Sequence, residues 1–546
     1  MIMRGPGCSE VAPHKGGTLL LRLAFLLAFV VASWGYYFRL DRYPPHLDFD
    51  SATLGIFVNN LTFHGKIDYF FDESPSQQDR YRMFWGAYFL APAIALSGVQ
   101  RLADIPPSGV GMLLKAVTLL CGLSGCLCAA AISRRTRGFG LTEALFVVGF
   151  ASTLPPLLLY LRTAVPHFLF SFLAFWFSLY LLVRFLESRT FFWSVALATV
   201  LAIYALVPYV PLMVLPLAAL WLCCRRHLLR TVLTTRASYV AVLLSVGLAL
   251  GVQYAVAVQY GGSWEVWRSK ASHFLASRSQ HAVSTQDLNP AVVIKKLEFL
   301  IHQHFWFQRD DLGDPSRDDS VWTLPQPHLV WLLLLPLLGV GIWTTIRTRD
   351  PAGDVFLAVL TCSYLVALTV SSPEGRYLIT AVPCYAYFLC VGVERVVRGS
   401  VVRVLGLAAI LVLSAVNSFV LVQGEYERSM LLAWKPMAGM PQTLELIQNQ
   451  YGKTLGTTQT LYLSWPGLTY PSWLYLQMLG NMQVMTFEPS EAGSALESGA
   501  RAFAVADAAN DGARKAWAQN GFQQVARVRD DATGRELFLL AQQTAQ

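Results

Sequence analysis

Charge is scarce in this sequence. Of its 546 residues, 14% are Asp, Glu, Lys or Arg, against about 25% in an ordinary soluble domain. That shortfall excludes a soluble enzyme, a disordered chain and a nucleic-acid binder with an exposed basic face. Cysteine is sparse too. Cys121, Cys126, Cys128, Cys223, Cys224, Cys362, Cys384 and Cys390 lie in or beside apolar runs, with Cys8 the exception, so neither a disulfide framework nor a zinc-ligand spacing is present. No internal repeat or low-complexity tract stands out. What is abundant is apolar: 54% of residues are hydrophobic and 13% aromatic. The chain reads as a polytopic membrane protein.

A spanning helix needs roughly 20 mostly apolar residues to cross a hydrocarbon layer about 30 Å thick. Candidate stretches lie near 17–38, 83–100, 110–132, 141–161, 165–186, 191–205, 207–224, 235–258, 328–347, 354–371, 376–396 and 401–422. The first ends in Trp34, Tyr36, Tyr37 and Phe38, which suits an interface belt better than a signal-peptidase site. Its side of entry and the arginines fix the rest. Arg134, Arg135 and Arg137; Arg184 and Arg189; Arg225, Arg226, Arg230 and Arg236; Arg347 and Arg349; and Arg395, Arg398 and Arg403 fall on alternate loops. The positive-inside rule places these fourteen in the cytoplasm. With a cytoplasmic N-terminus this parity requires 83–100 to be a juxtamembrane or re-entrant helix on the outer side. Eleven spans remain, in a cell (inner) membrane, with the C-terminus outside.

The sequence therefore divides into a membrane domain, 1–424, with outer loops 39–109 and 259–327, and a soluble extracytoplasmic domain, 425–546. In the tail, strand-like runs at Leu461–Leu463, Gln483–Phe487, Ala502–Ala506, Val525–Val528 and Leu537–Leu540 alternate with helix-like stretches 440–450 and 511–520, the signature of a small α/β domain. The tail has no Gly-x-Gly-x-x-Gly after a strand, so no nucleotide is assigned to it. The loop 259–327 carries Trp264, Trp267 and Phe274 and then Phe305, Trp306 and Phe307, fitting an amphipathic helix that lies on the bilayer. Its His302-x-His304 pair is two residues apart and shares no helical face. The acidic run Asp310 to Asp319 has the chemistry to bind a divalent cation but reads first as a solvated loop, so no metal or other cofactor is indicated.

Chemistry concentrates in the first outer loop. Asp41, Asp48, Asp50, Asp68, Asp72, Glu73 and Asp79 lie just past the first apolar run, where a carboxylate at the membrane surface is placed to take a proton from a hydroxyl. Asp50 precedes a helix-like stretch that it is expected to cap. Four elements then follow in order: Asp50-Ser51-Ala52-Thr53-Leu54-Gly55 with Asn60 through Gly65 and Phe70-Phe71; Gln78-Asp79-Arg80-Tyr81 through Tyr88; Leu154-Pro155-Pro156 to Arg162-Thr163-Ala164; and Glu374-Gly375-Arg376-Tyr377-Leu378 continuing to Pro383. Together they resemble the outer-face motifs of the integral-membrane C-type glycosyltransferases, in particular the dolichyl-phosphate-mannose protein mannosyltransferases and bacterial relatives such as the lipid A aminoarabinose transferase.

That resemblance implies an all-α membrane fold of the GT-C type, with about 11–13 transmembrane helices and outer juxtamembrane helices. It also implies transfer of a sugar from a polyprenyl-phosphate donor to a hydroxyl acceptor (lipid, glycan or protein) with inversion. By the same resemblance Asp50 is the general base. Arg80 or Arg82 with Arg376 and Tyr377, and Arg162 behind them, hold the lipid phosphate. Two departures stand out. The family's Asp-Glu pair is Asp50-Ser51 here, leaving Asp48 as the replacement carboxylate. Where several relatives carry Asp after the Arg-Thr turn, this chain has Pro166-His167. Asp79 and His167 are further candidates. The alternatives are a transporter or flippase of lipid-linked saccharide and a non-catalytic relative that binds lipid-linked sugar.

Overall fold

The computed structural model describes residues 49–65, 92–154, 166–188, 190–205, 210–225, 236–261, 289–301, 328–348, 350–369, 375–429, 442–447, 461–464, 484–485, 502–529 and 534–542, with a few single positions besides. The chain forms two units. One comprises Met1–Phe38, Thr118–Arg162 and Pro166–Gly424, the other Arg39–Val117, Thr163–Val165 and Glu425–Gln546.

The first unit is helical. Among the described residues, Val110–Arg137 (of which Val110–Val117 is counted with the second unit), Phe170–Glu187, Leu378–Val396 and Ser400–Asn417 are each long and apolar enough to cross a bilayer. The helices His328–Thr348 and Pro351–Thr369 meet at a short break and bend by 120°. Phe191–Ala205, Val210–Arg225 and Arg236–Gly261 are also helices, at the positions where the apolar runs placed them. One expected span is cut short: the run 141–161 is helical over Leu141–Thr153, and Leu154 leaves the helix at φ −68°, ψ 136°. Leu154 precedes Pro155, whose ring disfavours the α conformation in the residue before it. The expected span 376–396 opens instead as a tight 3₁₀ turn, Gly375–Ala381, before the α-helix Val382–Val396. The expected span 17–38 lies outside the described residues except for single positions, as do 262–288 and 302–327 of the second outer loop. Between these last two, Pro290–Ile301 is a helix.

Two features lock this bundle. The helices His328–Thr348 and Val382–Val396 cross backbone to backbone. A Cβ on Gly341 would sit 1.9 Å from the Phe388 carbonyl oxygen, and one on Gly392 would sit 2.0 Å from that of Leu337. Small residues permit such an approach, and membrane helices depend on close packing because lipid offers no hydrophobic drive between them. At one end of the bundle, arginines from distant loops meet acids. Arg137 pairs with Asp350 and, at 2.8 Å, with Glu394; Arg403 reaches Glu143 at 3.4 Å and Glu394 at 3.7 Å. Tyr387 donates to Asp350 at 3.1 Å. Beside them Arg135 and Arg184 share Glu187, and the Arg184 guanidinium lies 4.5 Å from the Trp193 ring centre. Arginines that the sequence assigned to one side of the membrane thus gather at one end. An aromatic ladder runs inward from there: Phe139 on Tyr387 at 5.4 Å, Tyr387 on Phe356 at 4.1 Å, and Phe356 on Trp176 at 5.7 Å.

The second unit includes a five-stranded mixed sheet of β1 Leu461–Ser464, β2 Val484–Met485, β3 Ala502–Asp507, β4 Phe522–Arg529 and β5 Glu536–Gln542 in the order β2-β1-β3-β5-β4. β1 pairs in parallel with β2 and β3, and β5 pairs antiparallel with β3 and β4. All five strands fall where the alternation of the tail placed them. The helix Asp511–Gln519 is capped by Asn510, whose side chain accepts from the Ala513 amide at 3.0 Å. It lays Trp517 on Phe522 and on the sheet residues Ala504, Ala506 and Leu540. Arg527 pairs with Glu536 across β4 and β5 and, by that hydrogen bond, holds its carboxyl below the usual carboxylate range.

Candidate functional site

Asp50 lies in the first turn of the helix Phe49–Asn59. The helix starts one residue earlier than the sequence suggested, so Asp50 is inside that turn rather than capping it. A negative charge there still sits well, because the first turn carries the positive end of the helix dipole. The rest of the helix is interior: Ala52, Thr53, Leu54, Ile56, Phe57, Val58 and Asn59 are all buried. The Thr53 hydroxyl, one turn on from Asp50, is buried with no hydrogen-bond partner among the described residues.

The helix does not stop cleanly. It widens into a π turn over Asn60–His64, closed by Gly65 at φ +64°, a left-handed conformation that glycine adopts without a Cβ clash. The glycine singled out by the family resemblance therefore has a backbone reason to be glycine. This end is held to the segment 92–102, which is helical; residues 83–91 of the expected helix 83–100 lie outside the described residues. The Gln100 side chain donates to Asn59 Oδ1 at 2.8 Å and accepts from the Thr62 hydroxyl at 2.7 Å. Thr62 Oγ1 also lies 3.0 Å from Ser97 Oγ and 2.7 Å from the Val58 carbonyl. Arg101 donates to the carbonyls of Thr62, at 3.2 Å, and Leu61. Asn59 donates to the Pro107 carbonyl at 3.3 Å, next to the start of the helix Val110–Arg137.

Arg376 and Tyr377 belong to the 3₁₀ turn Gly375–Ala381. The turn is anchored by Leu378, Ile379, Thr380 and Ala381, all fully buried, and by a 2.9 Å hydrogen bond between Thr380 and Ser363. His167 is in the first turn of the helix Pro166–Ser188. Asp48, Asp79, Arg80, Arg82 and Arg162 lie outside the described residues. Among the described residues, the buried lysines Lys115 and Lys296 escaped the sequence reading. Lys115, in the second turn of Val110–Arg137, is 3% exposed. It hides inside a long apolar run, and the signal available was the rule that an ionisable residue within such a run is a functional candidate.

No family model matches the sequence, and no curated protein matches it. Among solved structures, ArnT from Cupriavidus metallidurans in the apo state matches with a TM-score of 0.58 at 13% identity, covering 96% of this chain and 98% of that one. The same enzyme bound to undecaprenyl phosphate matches with a TM-score of 0.58 at 14% identity, covering 98% and 99%. ArnT is a lipid A aminoarabinose transferase of GT-C fold. The likeness runs through nearly the whole of both chains, and with the apolar helices it establishes a membrane protein of GT-C-like fold.

Proposed function

We propose that this chain transfers a sugar from a polyprenyl phosphate to a hydroxyl acceptor at the outer face of the membrane, with inversion at the anomeric carbon. The observation that carries the reading is the end-to-end likeness to ArnT, one structure of which holds undecaprenyl phosphate. The motif-bearing Asp50 supports it, standing in the first turn of a buried helix. The acceptor oxygen forms its bond to the anomeric carbon as the bond from that carbon to the phosphate oxygen breaks. The bonding pair leaves on the polyprenyl phosphate, and the acceptor proton passes to the Asp50 carboxylate. Asp48 is the second carboxylate of the site. Charge grows on the departing phosphate, and guanidinium groups suit it because their planar fork pairs two oxygens and stays ionised. Arg80, Arg82, Arg162 and Arg376 fill that role in this reading, with Tyr377 as a further phosphate-binding residue and Asp79 and His167 as further candidates. The soluble tail lies on the same outer side. Ser51, in place of the family's glutamate, favours the second reading of a non-catalytic lipid-sugar binder.

Mass spectrometry of envelope lipids and proteins from cells with and without this chain tests the proposal. A glycosyl mass increment that vanishes with the chain is expected, and identical profiles overturn it. Arg376→Gln is expected to weaken binding of undecaprenyl phosphate by the purified protein about 10- to 100-fold, the worth of a charge-assisted hydrogen bond of roughly 1.5–3 kcal/mol. Titration by tryptophan fluorescence reads it, and unchanged affinity removes Arg376 from the phosphate site.

A further inference from the structure

We infer that the hydrogen-bonded clasp of Asn59, Thr62, Ser97, Gln100 and Arg101 is a positioning device for Asp50, acting from the opposite end of its helix. The inference rests on the reading of Asp50 as the base. Asn59, where the clasp begins, stands at the far end of the helix Phe49–Asn59 from Asp50, so at about 1.5 Å per residue the clasp begins roughly 14 Å from Asp50 along a rigid rod. Apolar burial alone would hold this helix in place but would leave its rotation and its slide along the axis weakly determined, because dispersion contacts are non-directional. The clasp supplies what burial lacks. Both ends of the Gln100 amide are committed, one to Asn59 and one to Thr62, which fixes the amide's orientation and the turn of the helix against it. Arg101 places a cation on the carbonyls of Leu61 and Thr62, where a helix end carries partial negative charge and unsatisfied acceptors. Asn59 ties the same end to Pro107. The π turn makes this possible. It lies between Asn59 and Gly65 and, with five residues in place of an ordinary α turn, it presents Thr62 to Ser97 and Gln100. Rotation by a single residue position swings a side chain by about 100°, and a reacting group misplaced by about 1 Å costs up to about 10²-fold in rate.

Full-length protein in nanodiscs, assayed with radiolabelled lipid-linked sugars extracted from membranes of the source cells, tests this with Thr62→Val, Thr62→Ser and Asp50→Asn. Valine keeps the shape of threonine and removes the hydroxyl that meets Val58, Ser97 and Gln100. Thr62→Val is expected to lower kcat about 10- to 100-fold, with the Kd for undecaprenyl phosphate within twofold of the parent. Thr62→Ser is expected to restore kcat to within about threefold. Parental kcat in Thr62→Val, or a parallel fall of kcat and phosphate binding that serine does not rescue, overturns the positioning role alone. An Asp50→Asn protein that still turns over removes the base and this inference with it.

Discussion

Replacing Asp50 by asparagine is expected to lower sugar transfer by about 10²–10⁴-fold, the range that general-base catalysis contributes, while binding of undecaprenyl phosphate and the amount of folded protein stay unchanged. The two side chains have the same shape and differ in that the amide cannot take up the acceptor's proton. Losing the negative charge from the first turn of the helix costs about 0.3–1 kcal/mol of dipole interaction, too little to unfold a membrane protein whose Asp50 helix is buried from Ala52 to Asn59. Single-turnover measurements with preloaded donor separate proton transfer from binding. Asp48→Asn belongs in the same series: if Asp48 has taken the place of the family's second carboxylate, its loss adds a smaller defect and does not mimic the Asp50 variant. Full turnover in Asp50→Asn together with a large loss in Asp48→Asn would move the base two residues back.

The largest structural effect is expected where two helices touch backbone to backbone. Gly392→Val and Gly341→Val each put carbon atoms within about 2 Å of a carbonyl oxygen on the facing helix. A flexible side chain would yield to such an intrusion, but a helical carbonyl does not. The helices His328–Thr348 and Val382–Val396 must therefore part, and contacts along the seam are lost together. Overpacking a well-filled interior costs typically 1–3 kcal/mol, and about 3 kcal/mol is expected here because the obstacle on both sides is main chain. Thermal unfolding in detergent, followed by fluorescence-detected size exclusion, reads the loss. Gly339→Ala is the control: nothing among the described residues lies within 4 Å of its Cβ position, and its transition is expected at or slightly above the parent's, since alanine favours the helix. A Gly392→Val protein as stable as that control would mean that the two helices do not cross at this seam.

The parts of this fold that were legible in the sequence are those written in local pattern. Apolar runs marked the helices, and strand-like runs at Val525–Val528 and Leu537–Leu540, alternating with helix-like stretches, marked strands of the tail. Arginine placement gathered Arg137, Arg184 and Arg403 on one side. It did not reveal their partners: Arg137 meets Asp350 and Glu394, which stand 213 and 257 residues further on, and no window along the chain contains such a pair. The same blindness hid the clasp, whose bonds join residues 35 to 48 apart. The break in the expected span 141–161 was hidden because hydropathy continues through Leu157 and Leu158, both buried, while Leu154 leaves the helix ahead of two prolines in the sequence. Of the candidate site, the position of Asp50 at a helix start and the role of Gly65 were readable from the motif. Lys115 was masked by the apolar residues around it.

The distance between Arg137 and its acids bears on how the protein is made. At roughly 5–20 residues per second, the ribosome delivers Glu394 on the order of 10–50 seconds after Arg137. Over that interval the nascent chain holds Arg137 without the carboxylates that later pair with it, and water or head groups solvate it in their place. Chains interrupted before residue 350 lack both acids and cannot close that end of the bundle, so quality control has a charged mark by which to recognise them.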